Sequence, residues 1–359
     1  MHKSNILFLI IRSGNITGLL SSRDSNGISE YHEIKKNIVF DNTKEHKSFD
    51  SETYKVLEEI IEASINKNLN LPLPDKVVCI YSSPWFVSQI SEYSLPVIKK
   101  GFSYSSLKEL ASDAADLDDD VVLIEQNVES IILNGYKTNK PEGQKYTEGS
   151  STFITSWILS DTKKGIESVI HKVLNDREIQ HMTLPRIINT VVGSHNPSYH
   201  LIDIHGECTD IINVQEDNID NIGSIPIGVH HLVRSIQKDG QDYHNAYEEL
   251  GHIISDIKDP IDNRVEKEKI MQTLFLWSEA LDKIPDFRAN NNIILLSQNN
   301  TDKLFKDALN NNHGDHNSEV MILDKGYFNS EGSSLDLTSI AVISFWNILE
   351  KKGIKIDKY

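Results

Sequence analysis

The chain has 359 residues, and its 53 acidic and 36 basic side chains give a formal net charge of −17. Apolar residues at 38% and charged residues at 25% are typical of a globular protein and exclude wholesale disorder. The longest apolar run, Ile6–Ile11, is too short for a membrane span or a signal sequence, so we expect a cytosolic protein. Basic residues are scattered in pairs among carboxylates, which argues against nucleic acid and against direct insertion into a membrane.

The first 83 residues predict strands around one helix. Apolar runs at 5–11 and 16–20 flank a polar turn, a pattern that predicts a β-hairpin. A third strand is predicted to end at Phe40, a helix to cover 54–65, and a short buried strand to cover 76–81.

The next hundred residues change in character and predict a small α+β unit, 84–181, inserted after that strand. A short acidic helix is predicted at 107–117, strand-rich sequence at 121–133 and 152–159, and a second helix at 162–174. The polar stretch between them, 137–150, contains Pro and Gly and predicts an exposed loop.

The remainder predicts a second β-hairpin unit with helices. The predicted elements are strands at 201–204, 211–214 and 219–225, helices at 243–257 and 263–283, a strand at 293–296, and a helix from 301. The closing helix, 337–351, is apolar on most sides, so we expect it to pack inside the second half of the fold. The alternative is a membrane-surface helix, supported by three lysines beyond or at its end.

Residues 203–210 have the pattern of a phosphate-binding hairpin. Asp203 ends an apolar strand, Gly206 lies in the turn, and Thr209-Asp210 enters the next strand. Glycine lets backbone N–H groups approach phosphate oxygens, and an aspartate can hold hydrated Mg²⁺. The alternative is an ordinary hairpin with a polar turn.

Residues 201–211, followed by the Pro-Ile-Gly of 226–228, resemble the second phosphate motif of the bacterial actin-like FtsA and PilM family. The insert resembles the small subdomain of that family, and Leu184-Pro185 opens a helix where the family has Glu-Pro. The resemblance implies an α/β, actin-like (ribonuclease H-like) two-lobed fold with a small α+β inserted subdomain. It also implies a nucleotide site, for which the matching positions are Ser13, Gly14, Asp203, Gly206, Thr209, Asp210 and Gly228, with Asp203 as the metal-binding residue if Mg²⁺ is bound.

The same resemblance divides the chain into three parts. Residues 1–83 with 182–198 form the first lobe, 84–181 the inserted subdomain, and 199–359 the second lobe, of which 241–290 is a helical subdomain.

The departures from the family motifs fall at the positions that bind nucleotide. In the first hairpin, Ile10 stands where the family has Asp, and Arg12 where it has Gly. His205 replaces the first glycine of the second motif, and no glycine follows the 293–296 strand. An apolar side chain cannot orient a hydrated cation, although Arg12 could pair with a phosphate directly. We therefore predict that ATP and Mg²⁺ are bound weakly or not at all.

Three functions follow as alternatives. The first is a cytoplasmic scaffold at the inner membrane, PilM-like in type IV pilus assembly or FtsA-like in cell division. It would bind the cytoplasmic tail of a membrane protein and associate with further copies of itself. The second is an active ATPase that polymerises, and the third is a small-molecule kinase of the same superfamily. The degraded motifs favour the scaffold over an enzyme.

The remaining polar clusters carry weaker signals. His313 and His316 have metal-ligand spacing but lie in an Asn-rich stretch, which predicts a solvated loop. His230-His231 is expected to be a pair on a helix surface. Cys79 and Cys208 lie in apolar runs and are expected to be buried thiols rather than a disulfide or a metal site.

Overall fold

The computed structural model describes residues 5–23, 29–38, 47–65, 73–97, 101–105, 107, 120–193, 198–216, 218–255, 263–285, 287, 292–297, 301–312, 319–328 and 330–352. The helix predicted at 107–117 and the His313–His316 loop lie almost wholly outside this part of the chain. None of the helices it contains is both long and apolar enough to cross a bilayer.

The first lobe is built on a five-stranded mixed sheet. Its hairpin of β1 and β2 forms because two apolar runs flank a polar turn, and β1 then pairs in parallel with β4. The order across the sheet is β3-β2-β1-β4-β9. The strands are β1 Ile6–Ile11, β2 Asn15–Arg23, β3 Ser29–Asn37, β4 Lys76–Tyr81 and β9 Glu178–Thr183.

The second lobe repeats this topology. Its hairpin of β10 and β11 is followed by β12, and β10 pairs in parallel with β13, giving the order β12-β11-β10-β13-β14. The strands are β10 Tyr199–Ile204, β11 Thr209–Gln215, β12 Asn218–Ile225, β13 Asn292–Ser297 and β14 Glu319–Ile322. The matching topology places the turn of each hairpin at the face between the lobes.

A third, antiparallel sheet forms the insert, in the order β5-β8-β6-β7. Its strands are β5 Val87–Ser94, β6 Val121–Leu133, β7 Tyr136–Lys137 and β8 Gly149–Leu159. Seven buried residues, among them Phe102 and Phe153, give this sheet a small core of its own.

Eight helices of the described chain cover the two large sheets: α1 Lys47–Ser64, α2 Ser160–Leu174, α3 Leu184–Val192, α4 Val229–Ile236, α5 Tyr243–Ile254, α6 Arg264–Leu281, α7 Asp302–Asn312 and α8 Leu337–Lys351. Helix α2 packs on α1, and its buried residues Ile166 and Ile170 join the core of the first lobe. The insert sheet itself ends at Leu159, so this packing favours a shorter insert than 84–181, a division that stays a prediction.

The sequence predicts that the closing helix α8 packs inside the second half of the fold, but in the structure α8 contacts both lobes. Its Trp346 ring meets the ring of Phe8 on β1 edge to face, with centroids 5.5 Å apart. Phe345 and Val342 share one buried cluster with residues of both large sheets. The apolar face of α8 is therefore covered by protein on the side of both lobes, which contradicts the membrane-surface alternative.

Candidate functional site

The turn of the first hairpin, 12–14, lies between the lobes and is buried. Ile10 precedes it and is packed among apolar side chains of the core, with no exposed surface. The backbone N–H of Arg12 donates to the Asn15 carbonyl at 3.0 Å and closes the turn. At the position where the FtsA and PilM proteins have a metal-organising aspartate, this chain therefore has an apolar core side chain.

The two hairpin turns touch each other through their glycines. A methyl group added to Gly206 would lie 2.3 Å from Cα of Gly14, and one added to Gly14 would lie 2.7 Å from Cα of Gly206. Both positions require glycine because the two backbones approach within van der Waals contact. The cavity remaining beside the two glycines is about 20 Å³, whereas small-molecule pockets measure roughly 300–1,000 Å³.

Arg12 and Asp203 form an ion pair across this contact. The Arg12 guanidinium is completely buried and donates from Nη2 to Oδ1 of Asp203, which is 3% exposed. Burial raises the pKa of Asp203 above its ordinary value, although the charge of Arg12 opposes this. Arg12 Nε and Nη1 and Asp203 Oδ2 have no hydrogen-bond partner among the described residues.

A second polar connection runs from Ser13 through His205 to Asp210 and back to the first lobe. Ser13 Oγ lies 2.8 Å from His205 Nδ1, and His205 Nε2 lies 3.3 Å from Asp210 Oδ2. The same Asp210 oxygen accepts the backbone N–H of Ser83 at 3.2 Å. Burial alone would raise the pKa of Asp210, but His205 and Ser83 outweigh it and lower the pKa overall.

This order of Ser, His and Asp has the composition of a hydrolase triad, but its placement does not suit one. Ser13 and His205 have no exposed surface, and Ser13 Oγ already accepts the backbone N–H of Glu207 at 2.8 Å. A nucleophile needs room for a substrate carbonyl beside it. We therefore interpret the three side chains as a buried hydrogen-bond relay that joins the lobes.

Two of the predicted nucleotide-binding residues, Thr209 and Gly228, contact other parts of the second lobe. The Thr209 hydroxyl donates to the Ile227 carbonyl at 2.7 Å and accepts the Trp277 indole N–H at 3.0 Å. Gly228 lies against the second hairpin, where an added methyl group would be 2.2 Å from the His205 carbonyl oxygen. The other five, Ser13, Gly14, Asp203, Gly206 and Asp210, come together at the interface between the hairpins.

Helix α4 begins at the second hairpin, and its first two backbone N–H groups donate hydrogen bonds to that hairpin. The N–H groups of Val229 and His230 donate to the carbonyls of His205 and Gly206, each at 2.9 Å. Free N–H groups at a helix start commonly bind anions, so their use here removes one such site. His230 is 6% exposed and is not the surface residue predicted from the sequence, because its ring faces Glu207.

Glu207 is held by three hydrogen bonds that sequence reasoning missed. Arg234 donates to both carboxylate oxygens, at 2.8 and 2.7 Å, and His230 Nδ1 lies 3.0 Å from Oε1. Burial acts to raise the pKa of Glu207, but these partners outweigh it and lower the pKa to about 2. The spacing His230-x-x-x-Arg234, which places both on one helix face, was the available signal.

A larger cavity, about 410 Å³, also borders Arg12. It lies at the ends of β13 and β14, where Leu296 and Ser297, at the end of the strand that no glycine follows, form part of its wall. Its walls carry four carboxylates and three cationic side chains: Glu33, Asp302, Asp324, Asp336, Arg12, Lys35 and Lys325. The balance is negative, which disfavours a triphosphate.

The residues present do not fit a nucleotide with its Mg²⁺. The space at the hairpin turns is filled by backbone, Ile10 supplies no carboxylate, and the cation on Asp203 is Arg12.

Cys79 and Cys208 are buried free thiols, as expected.

A second site is a cavity of about 350 Å³ beside the insert, which we call the junction groove; the sequence did not identify its lining residues. The insert strand β6, helix α3 of the first lobe and strand β12 of the second lobe meet there. Its lining residues are Glu125, Gln126, Asn127, Val128, Glu129, Ile154, Thr183, Arg186, Asn189, Thr190, Ile219 and Ile222. No single stretch of sequence carries it, because its walls come from four separated segments.

Buried carboxylates fix the walls of the junction groove. Glu125 accepts the Thr183 hydroxyl at 2.8 Å and pairs with Arg186. Glu129 accepts the Ile219 backbone N–H at 2.6 Å, which ties the insert to the second lobe. Burial raises the pKa of Glu129.

The comparisons with known proteins identify the architecture. No family model and no curated protein matches the sequence. Among solved structures, a chain of the PilM–PilN type IV pilus biogenesis complex superposes with a TM-score of 0.60 over 98% of both chains, at 12% identity. The ethanolamine utilization protein EutJ from Carboxydothermus hydrogenoformans gives a TM-score of 0.50 at 11% identity, over 95% of this chain and 90% of that one. The chain has the actin-like fold. At such low identity the match establishes the actin-like fold alone.

Proposed function

We propose that this actin-like protein is a nucleotide-independent scaffold, PilM-like in type IV pilus assembly or FtsA-like in cell division. It acts in the cytoplasm at the inner membrane by binding the cytoplasmic tail of a membrane protein. The PilM match supports the choice, since that structure is a complex of PilM with PilN. The observation that carries the proposal is the junction groove, which is open while the interface between the hairpins is closed.

The groove has the chemistry that binds an extended peptide. Ile154, Ile219 and Ile222 supply an apolar floor, and the amides of Gln126, Asn127 and Asn189 supply hydrogen-bonding groups. A peptide that lies in such a groove needs rigid walls but no catalytic residue. The net charge of −17 would steer a tail rich in Lys or Arg, so its association rate should fall as salt rises.

Site-specific crosslinking tests the groove directly. A photoreactive phenylalanine analogue replaces Val128, which is 41% exposed at the groove, and the matched control replaces Val265, which is 60% exposed on α6. We expect a membrane-fraction protein to crosslink to position 128, less at high salt, and to be lost when Ile222→Arg is added. Equal crosslinking from position 265, or no effect of Ile222→Arg, would rule out the groove as the binding site.

The second candidate function is an ATPase that polymerises. It is favoured by the retained Asp203, Gly206 and Asp210 and by the 410 Å³ cavity beside Arg12. Isothermal titration with MgATP decides between the two. We expect a dissociation constant weaker than about 1 mM, corresponding to less than roughly 4 kcal/mol of binding. A micromolar constant would favour the ATPase.

A further inference from the structure

We propose that the Arg12 guanidinium is a tethered cation that occupies a latent divalent-metal site formed by Asp203, His205 and Asp210. The native chain therefore keeps its lobes together with an internal cation and binds no metal there. The inference goes beyond tail binding, and its test does not involve the junction groove.

The three side chains form a compact ligand set. One ligand atom from each of Asp203, His205 and Asp210 lies within 4.8 Å of the other two, and all three residues are buried. Asp203 Oδ2 and Asp210 Oδ1 have no hydrogen-bond partner in the described part of the chain, so each keeps an acceptor for a cation. Two carboxylates and one imidazole suit Mn²⁺, Co²⁺ or Zn²⁺.

The surroundings of His205 match those of a metal-binding histidine. Its Nε2 faces Asp210 at 3.3 Å, while its Nδ1 lies 2.8 Å from Ser13 Oγ. A second hydrogen bond of this kind fixes the ring of a ligating histidine and decides which nitrogen faces the metal. Ser13 belongs to the first lobe, so the ring is oriented by the opposite hairpin.

Arg12 supplies the positive charge that such a set requires. Its Nη2 pairs with Asp203 Oδ1, and no part of its side chain is exposed. Two buried carboxylates without a cation would be costly, so a charge must compensate them. A dication bound to Asp203 beside the guanidinium would be repelled by it. Because Arg12 is covalently attached to the chain, it cannot diffuse away, so it excludes the metal and is not displaced by it.

The experiment removes the tethered cation from the full-length protein. Arg12→Ala is titrated with Co²⁺ and followed by visible absorption, and its melting temperature is measured with and without Co²⁺. We expect Arg12→Ala to gain a Co²⁺ spectrum, to bind Co²⁺ at least tenfold more tightly than the native protein, and to be stabilised by it. The double variant Arg12→Ala/Asp203→Asn should lose this binding, and Arg12→Lys should behave as the native chain does.

Competition shows whether the two cations share one place. Methylguanidinium should restore the melting temperature of Arg12→Ala and displace Co²⁺. If Arg12→Ala does not fold, Arg12→Gln, whose shorter and neutral side chain fills more of the space than alanine does, takes its place in the Co²⁺ titration. Equal Co²⁺ affinity of the native chain, a folded Arg12 variant without a Co²⁺ spectrum, or simultaneous binding of Co²⁺ and methylguanidinium would each overturn the proposal.

Discussion

The contact between the hairpin turns can be tested by one methyl group. In Gly206→Ala, the new Cβ would lie 2.3 Å from Cα of Gly14, whereas carbon atoms at rest are about 3.5–4.0 Å apart. The clash is with backbone, so the hairpins must separate by roughly 1.2–1.7 Å. The 2.8 Å contacts of Ser13 Oγ with His205 Nδ1 and with the Glu207 N–H would then exceed hydrogen-bonding distance.

The expected loss of stability in Gly206→Ala follows from the hydrogen bonds that would be broken. Two neutral hydrogen bonds contribute about 0.5–1.5 kcal/mol each, and a weakened Arg12–Asp203 pair adds to this. We expect Gly206→Ala to lower the free energy of unfolding in urea by about 2–4 kcal/mol. Gly14→Ala should cost less, because its methyl group would lie 2.7 Å away.

The matched control is Gly251→Ala. Gly251 is in helix α5 with no atom within 4 Å of an added methyl group, so alanine should stabilise by about 0.5–1 kcal/mol. If Gly206→Ala proved as harmless as Gly251→Ala, the hairpins would not touch in solution, and the space between them could admit a nucleotide.

Three further predictions concern charge, packing and domain boundaries. The pKa values of Glu207 and Asp336 are lowered to about 2, so each ionised carboxylate should stabilise the folded state by about 2–3 kcal/mol. This stabilisation should be complete above about pH 4.5 and should be lost as the pH falls toward 2. Urea unfolding measured across this pH range checks the prediction, and a free energy of unfolding that does not change with pH would contradict it. Trp277→Phe should cost about 1 kcal/mol in thermal unfolding through its lost bond to Thr209, and Trp346→Phe less, because its indole bonds an exposed Glu350. Limited proteolysis should cut within 137–145 before 201–214; the opposite order would show the domain division to be wrong.

Most of the fold could be predicted because its central strands are apolar. Strands β1, β4, β10 and β11 follow from uninterrupted buried runs between turn residues. The strands that were missed are polar or short. β5 Val87–Ser94 carries serines and glutamate, and β14 has four residues, so pairing with neighbouring strands rather than local pattern creates them.

The sequence predicted which residues form the site but not which of them contact one another. The sequence shows that Arg12 replaces a glycine and that Asp203 lacks its family metal partner, but 191 positions separate the two. Their pairing depends on how the lobes close, which no local pattern encodes. The ion pair could have been suggested by the charges at the motif positions, because the sequence gains one cation, Arg12, and keeps one carboxylate, Asp203, without its metal.

The contact between Phe8 and Trp346 also has a consequence for biosynthesis. The two rings, 5.5 Å apart, join the first strand to the last helix across 338 positions of the chain. At a ribosomal rate of 5–20 residues per second, roughly 20–70 seconds pass before helix α8 can cover β1. During that interval the inner face of a completely apolar strand, Ile6–Ile11, has no native cover from that helix. Exposed apolar strands make folding intermediates prone to aggregation, so we expect the yield of folded protein in the cell to rise with chaperone supply.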